Sequence, residues 1–554
     1  MQITGNIINI LEKKIQYGTI EIEAGIIKRI IIKSETGTPA VPNPKSQVLL
    51  PGFVDAHVHV ESSMLTPAQF ARLAVVHGTV ATVSDPHEIG NVLGKAGVEY
   101  MIENARQTPF KFCFGAPSCV PATTFETAGA TITPDDIEDL FQKYPEIGYL
   151  AEVMNFPGVL NGDSDMMAKI ALAQRYQKPV DGHAPGLRGE DARRYIQAGC
   201  QTDHECFTAA EALDKLKYGM KILIREGSAA KNFNALIELL PEHYTNLMFC
   251  SDDKHPDNLV EGHINQLVKR ALGIYPDYLF EILQMACINP VLHYNLPVGL
   301  LREGDPADFI VIDNLQDFTV QQTYLNGVLV AENGVSQIPN LPSEIVNQFD
   351  CSLKKATDFE ILKPIDTTTK IKVIEVLDGQ LITLSSEHDC RFSGDTVVSD
   401  VSKDILKITV VNRYQNAKPA MAFIKNFGLK QGAIASSVAH DSHNIIAVGV
   451  DDVSITKAVN LVIEAKGGVS AVSGAGEALV LELPIAGIMS GIDGYEIAKE
   501  YSAIDRFAKE LGCTLNSPFM SLSFMALLVI PNLKLSDLGL FDGEKFQFTS
   551  FFVK

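Results

Sequence analysis

Hydrophobic and polar positions divide the 554-residue chain into three stretches of different texture. From Ile3 to Leu50, alternating pieces such as Thr19-Ile20-Glu21-Ile22-Glu23 and the apolar run Ile26 to Ile32 are broken by turns, which predicts short β-strands without a helix. From Leu49 to about Pro297, apolar runs alternate with helical segments, the texture of parallel β/α units. Eight strands are expected there: Val54–Val60, Val80–Ser84, Phe112–Ala116, Tyr149–Val153, Pro179–Gly182, Gln201–Asp203, Ile222–Ile224 and Leu247–Ser251. Their spacing of roughly 20 to 35 residues suits one strand and one helix per unit in a (β/α)8 TIM-type barrel. The β texture returns at Gly304 to Asp313 and Phe318 to Glu332, so a β-sandwich built from both sides of the barrel is the simplest arrangement. Ile338 to Phe349, rich in Pro, Asn and Ser, reads as a linker, and mixed strands and helices follow it. The expected architecture is α/β: a composite β-sandwich domain (1–50 and 298–342), a barrel domain (51–297) and a C-terminal α+β domain (352–554).

Composition narrows the partners. The formal net charge is −21 and no Lys/Arg run forms a phosphate-binding stripe, so neither nucleic acid nor an anionic membrane is an expected partner. The nine cysteines (Cys113, Cys119, Cys200, Cys206, Cys250, Cys287, Cys351, Cys390 and Cys513) are scattered, odd in number and never in a C-x-x-C pair. That pattern predicts neither a zinc ribbon nor a disulfide framework. Met1 to Gly5 lacks the basic start of a signal peptide, and the apolar stretch Phe524 to Ile530 is too short to span a bilayer. A soluble, cytoplasmic protein is expected.

Metal-capable residues recur where the barrel strands should end, the face on which barrel active sites are built. His57 and His59 share one face of the first strand and can grip one divalent ion. Asp85 and His87 follow strand two, Ser118 strand three, and Glu152 lies on strand four. His183 ends strand five, His204 and Glu205 strand six, Arg225 and Glu226 strand seven, and Asp252 and Asp253 strand eight. Any one of these has a bland reading as a solvated loop residue. Four His, one Glu and one Asp on five strand ends would converge at the barrel mouth.

These motifs carry a resemblance. His57-Val58-His59-Val60-Glu61-Ser62-Ser63-Met64, Ser84-Asp85-Pro86-His87-Glu88-Ile89 and Pro117-Ser118-Cys119-Val120-Pro121-Ala122 resemble the adenine deaminase family of the amidohydrolase superfamily. So do Met154 to Val159, Gly182-His183-Ala184-Pro185-Gly186-Leu187, Asp203-His204-Glu205, Ile224 to Ser228, Ser251-Asp252-Asp253 and Ser437 to Asn444. The resemblance implies hydrolytic deamination of adenine to hypoxanthine and ammonia by a hydroxide generated between two divalent metals, Mn2+ or Fe2+, with Zn2+ permitted. It implies Glu152 as the bridging ligand, His57, His59 and Asp252 completing one metal, and His183 and His204 the other. Asp252 is then expected to shuttle the proton, with Asp85 and His87 assisting. Ser118, Arg225, Glu226 and Ser228 are candidates to contact the base, or else ion pairs and caps at the rim. The family also implies a homodimer or higher homo-oligomer. A cyclic amide hydrolase or an N-acyl deacetylase of the same superfamily is the alternative, since deacetylases can also carry a glutamate at that slot.

Two further signals are set aside. His440-Asp441-Ser442-His443 is read as a polar turn capping a strand in preference to a further metal site, and a reach over the active site stays open. Gly474-Ala475-Gly476 is read as a turn, because a strand, Ala478 to Leu483, follows it where a dinucleotide motif needs a helix. No G-x-S-x-G occurs.

Overall fold

The computed structural model describes residues 1–36, 42–43, 45–364 and 370–553. The parts of the expected β unit at 37–41 and 44, and of the C-terminal unit at 365–369 and 554, lie outside the described residues.

Eight parallel strands form the barrel: Phe53–Val58, Thr79–Ser84, Lys111–Ala116, Ile147–Val153, Val180–Gly182, Thr202–Asp203, Lys221–Arg225 and Leu247–Cys250. Strands one to five pair in sequence order, as do six to eight. Two seams close the ring. The N–H of Gln201 donates to the carbonyl of Val180 (2.9 Å), and that of Asp252 to the carbonyl of His57 (2.9 Å), with Val58 and Asp252 bridged in parallel. Strands one and two are buried along their whole length, as expected where helices cover the outside and packed side chains fill the inside. The outer helices are punctuated locally. Thr133, Asp163 and Thr208 each accept a backbone N–H at the start of the helices Pro134–Lys143, Ser164–Arg175 and Ala209–Leu216.

The segments flanking the barrel build one eight-stranded sheet. Val48–Pro51 is its splice: it runs parallel to Gln2–Asn9 and antiparallel to Phe309–Ile312. The sheet curls over a separate core that includes Ile7, Ile20, Ile27, Leu49, Phe309 and Val311. Where its edges return, the N–H of Ala307 donates to Gly25 (2.8 Å). The sandwich is therefore two halves of a single hydrogen-bonded sheet.

A second eight-stranded sheet organises the C-terminal unit, with Ile405–Val411, Ile445–Gly449 and Ala433–Ser436 at its centre. One face lies under the helix Asp452–Glu464, through Ile455, Val459 and Val462. Alternate residues of the same strands, Leu406, Ile408, Val410, Ile446 and Val448, join the core cluster that contains the barrel interior. The C-terminal sheet is thus packed toward the barrel mouth. The stretch 338–349 has no regular structure yet is tied down, with Arg72 donating to the carbonyl of Ile338 (3.2 Å) and Gln69 to Asn340 (2.7 Å). Gly474 to Gly476 lies in the turn between the antiparallel strands Gly468–Val472 and Ala478–Glu482. Among the described residues, no helix is long and apolar enough to cross a membrane.

Candidate metal centre

His57, His59, Glu152, His183, His204 and Asp252 meet at the C-terminal mouth of the barrel, none more than 6% exposed. The Nε2 atoms of His57 and His59 lie 3.2 Å apart, and Asp252 Oδ1 is 3.5 and 3.2 Å from them. Glu152 divides its carboxylate between two groups. Its Oε1 is 3.4 Å from His59 Nε2, while Oε2 is 2.8 Å from His183 Nδ1 and 3.2 Å from His204 Nε2.

These donors fit divalent metal. His59 Nδ1 lies 3.1 Å from the carbonyl of Asp85, which can only accept, so that nitrogen carries the proton and Nε2 presents a lone pair. His57 Nε2, His59 Nε2 and Asp252 Oδ1 lie within 3.5 Å of one another, and Glu152 Oε1 stands 3.4 Å from His59 Nε2. Spacings of about 3 Å are those of neighbouring ligand atoms on an ion with bonds of roughly 2.0–2.2 Å. Nitrogen and carboxylate donors without thiolate suit Mn2+, Fe2+ or Zn2+. Asp252 reaches its place from a left-handed backbone (φ 52°), a strained conformation that the barrel seam through His57 maintains.

An outer set of residues holds the ligands. Arg225, buried, pairs with Asp252 Oδ2 (2.5 Å) and with both oxygens of Glu205. Burial alone would raise the Asp252 carboxyl; Arg225, followed by the nearby histidines, holds it well below the usual carboxylate range. Glu152 behaves likewise, burial being overridden chiefly by His183. Asp85 accepts the N–H groups of His87 (3.1 Å) and Glu152 (3.2 Å), so it fixes the start of the helix His87–Leu93 and the end of strand four together. His87 Nδ1 sits 3.5 Å from Glu152 Oε1.

A cavity of about 20 Å3 lies beside these ligands. Of the four residues expected to contact the base, none lines it. Ser118 donates to the carbonyl of Glu152 (2.6 Å) and Arg225 is spent on Asp252 and Glu205. Glu226 turns outward to Arg270 (3.0 Å), and Ser228 donates to Asn258 (2.7 Å). His440 to His443 form the expected turn after the strand Ala433–Ser436, and that turn also reaches over the metal centre. The loop is buried, and both histidines bond to Glu88, His440 Nδ1 at 2.5 Å and His443 through Nε2. His440, Asp441, Leu381, Phe524 and Leu527 close the cavity from the C-terminal side, opposite Met154, Glu88 and Asp253. The sequence motifs contained Glu88, His440 and Asp441, but nothing in them said which strand end each would face.

A closed parallel barrel with a histidine–carboxylate centre at its C-terminal mouth is the construction of the metal-dependent amidohydrolases, and the model of the amidohydrolase family matches residues 48–330. A second model, the adenine deaminase C-terminal domain, matches 380–547. The chain is 55% identical over 549 residues to an adenine deaminase of Sulfurovum sp., covering 99% of both chains. It is 51% identical to one of Salinibacter ruber (100% and 99% covered) and 47% identical to one of Methanosarcina mazei (99% of each). Among solved structures, an N-acetyl-D-glucosamine-6-phosphate deacetylase of Mycobacterium smegmatis aligns with 60% of this chain and 100% of its own, at 16% identity and a TM-score of 0.45. The chain belongs to the adenine deaminase family of the amidohydrolases.

Proposed function

We propose that the chain hydrolyses adenine to hypoxanthine and ammonia at two divalent ions, Mn2+ or Fe2+, held by His57, His59 and Asp252 on one side, His183 and His204 on the other, and Glu152 between them. The observation that carries the reading is the split of the Glu152 carboxylate, one oxygen toward His59 and the other toward His183 and His204. Bound there, the ions supply Lewis acidity that brings the pKa of a water near neutrality. The remaining steps fall to the chain. Asp252, oriented by Arg225, accepts the proton of the attacking water as its oxygen bonds to C6. The same carboxyl passes that proton to N6, the C6–N6 bond breaks, and ammonia departs. Asp85 holds His87 at the cavity wall, where the imidazole can hydrogen-bond the leaving amine.

The full-length identity to adenine deaminases favours this reaction over cyclic amide hydrolysis or deacylation. Ammonia release and the accompanying ultraviolet change should appear with adenine for Mn2+-loaded protein and vanish for metal-stripped protein. A fully loaded sample that leaves adenine untouched and opens a cyclic amide or cleaves an N-acetyl group would replace the reading. We further propose a homo-oligomer, to be tested by light scattering at the mass of two or more chains.

A further inference from the structure

The chemistry that the metal centre does not use lies on the C-terminal wall of the cavity. The loop 437–444 joins the strands Ala433–Ser436 and Ile445–Gly449 and presents its histidines to the barrel. Tautomers decide what they do. The N–H of Ala439 donates to His443 Nδ1 (3.3 Å), so the proton of that ring is on Nε2, which donates to Glu88. His443 with Glu88 is therefore a hydrogen-bonded clasp between the two units and not a ligand pair for a third cation. The other oxygen of Glu88 accepts from His440 Nδ1 (2.5 Å).

That arrangement leaves His440 Nε2 and Asp441 Oδ2 without a hydrogen-bond partner, on residues 2% and 3% exposed that both line the cavity, with Asp253 Oδ1 3.7 Å from His440 Nε2. Unpaired buried polar atoms are rare, so a structure keeps them where something else completes them. Apolar side chains flank them on the C-terminal side, and the metal-centre residues line the rest of the cavity. Phe524 lies 5.5 Å from the His440 ring, centroid to centroid, with Leu527 and Leu381 beside it and Met154 facing from the barrel. Apolar side chains beside a ring nitrogen and a carboxylate suit a purine, which has apolar faces and alternating N–H and ring-nitrogen groups around its rim.

We propose that His440 and Asp441 of the C-terminal unit bind the purine ring on the edge away from C6, so that the barrel performs the chemistry and the C-terminal unit reads the base. The proposal rests on the adenine deaminase reading of the centre. A cavity of about 20 Å3 holds roughly one water, so binding of a base requires the C-terminal wall to draw back from the barrel.

The test is steady-state kinetics of Mn2+-loaded His440→Ala and Asp441→Asn, with metal content measured in parallel and adenine analogues lacking one ring nitrogen (3-deaza- and 7-deazaadenine) as competitive inhibitors. Wild-type turnover of adenine is the internal control; its absence would remove the reaction assignment and this proposal with it. Two ions per chain should be retained in both variants. KM should rise by about 10- to 100-fold with kcat changed far less, and His440→Ala should lose discrimination between adenine and one of the deaza analogues. Wild-type KM and unchanged discrimination in a metal-replete variant would overturn the proposal. Should His440→Ala fail to fold, His440→Gln, which keeps a polar group of similar reach, carries the same measurement: a KM above wild type with two ions retained supports contact with the base, and wild-type KM with unchanged discrimination refutes it.

Discussion

At the residue scale, charge placement separates ligand from scaffold. Glu152→Gln keeps the volume and one acceptor but removes the charge that both halves of the centre share. Metal analysis of that variant should find fewer than two ions per chain, with turnover down by at least 100-fold; full metal and normal turnover would contradict a bridging role. Arg225 makes a different prediction. It is the main influence lowering the Asp252 carboxyl, so Arg225→Met should raise that pKa and move the acid limb of the kcat/KM profile to higher pH. A profile that keeps its acid limb would detach Arg225 from Asp252. Strand alternation could have told Arg225 from Glu226 in advance: neighbours on a strand face opposite ways, and Arg225 turns to the centre while Glu226 turns to Arg270. Ser118 and Ser228 had no such signal, because loop geometry alone aims them.

At the element scale, the strand ends are fixed by close packing and buried pairs. A Cβ on Gly182 would stand 2.4 Å from the carbonyl of Thr202, so Gly182→Ala must push strands five and six apart and with them His183 and His204. Metal content should fall by about one ion per chain while the centre formed by His57, His59 and Asp252 keeps its own. Lys215, 1% exposed, is the counterion of Asp203 and bonds Glu211 (2.8 Å) and the carbonyl of Ala184 (2.7 Å). Lys215→Met strands two buried carboxylates, and thermal or denaturant unfolding should show a loss of roughly 3–5 kcal/mol. Burial would raise the Asp203 carboxyl, yet Lys215 in particular holds it at about 2. Its contribution to stability is therefore present above the ordinary carboxylate pKa and is lost as pH falls toward 2. The strands themselves were legible, every observed bound lying within two residues of expectation, because an apolar run between turn residues is a local property.

At the scale of the whole molecule, barrel and C-terminal unit share one core cluster, and bound metal should stabilise the fold they make. Ions that bind only the folded chain stabilise it by RT ln(1 + [L]/Kd), about 2.7 kcal/mol at a hundredfold excess over Kd. Chelation should lower the unfolding temperature and abolish turnover together, and Mn2+ should restore both; unchanged melting after complete metal removal would place the ions outside the folded core. By itself, the sequence determined the eight barrel strands and the residues at their ends, because strand periodicity and strand-end position are set within a few neighbours. It also announced the flanking β-segments, whose textures match on either side of the barrel. What only the tertiary structure decided is who faces whom across long separations. Glu88 meets His440 across 352 residues of chain, and a bond of that span leaves no periodic trace in either segment. The wall of the cavity is made there, where two units folded by separate local rules are pressed together by the apolar faces they share.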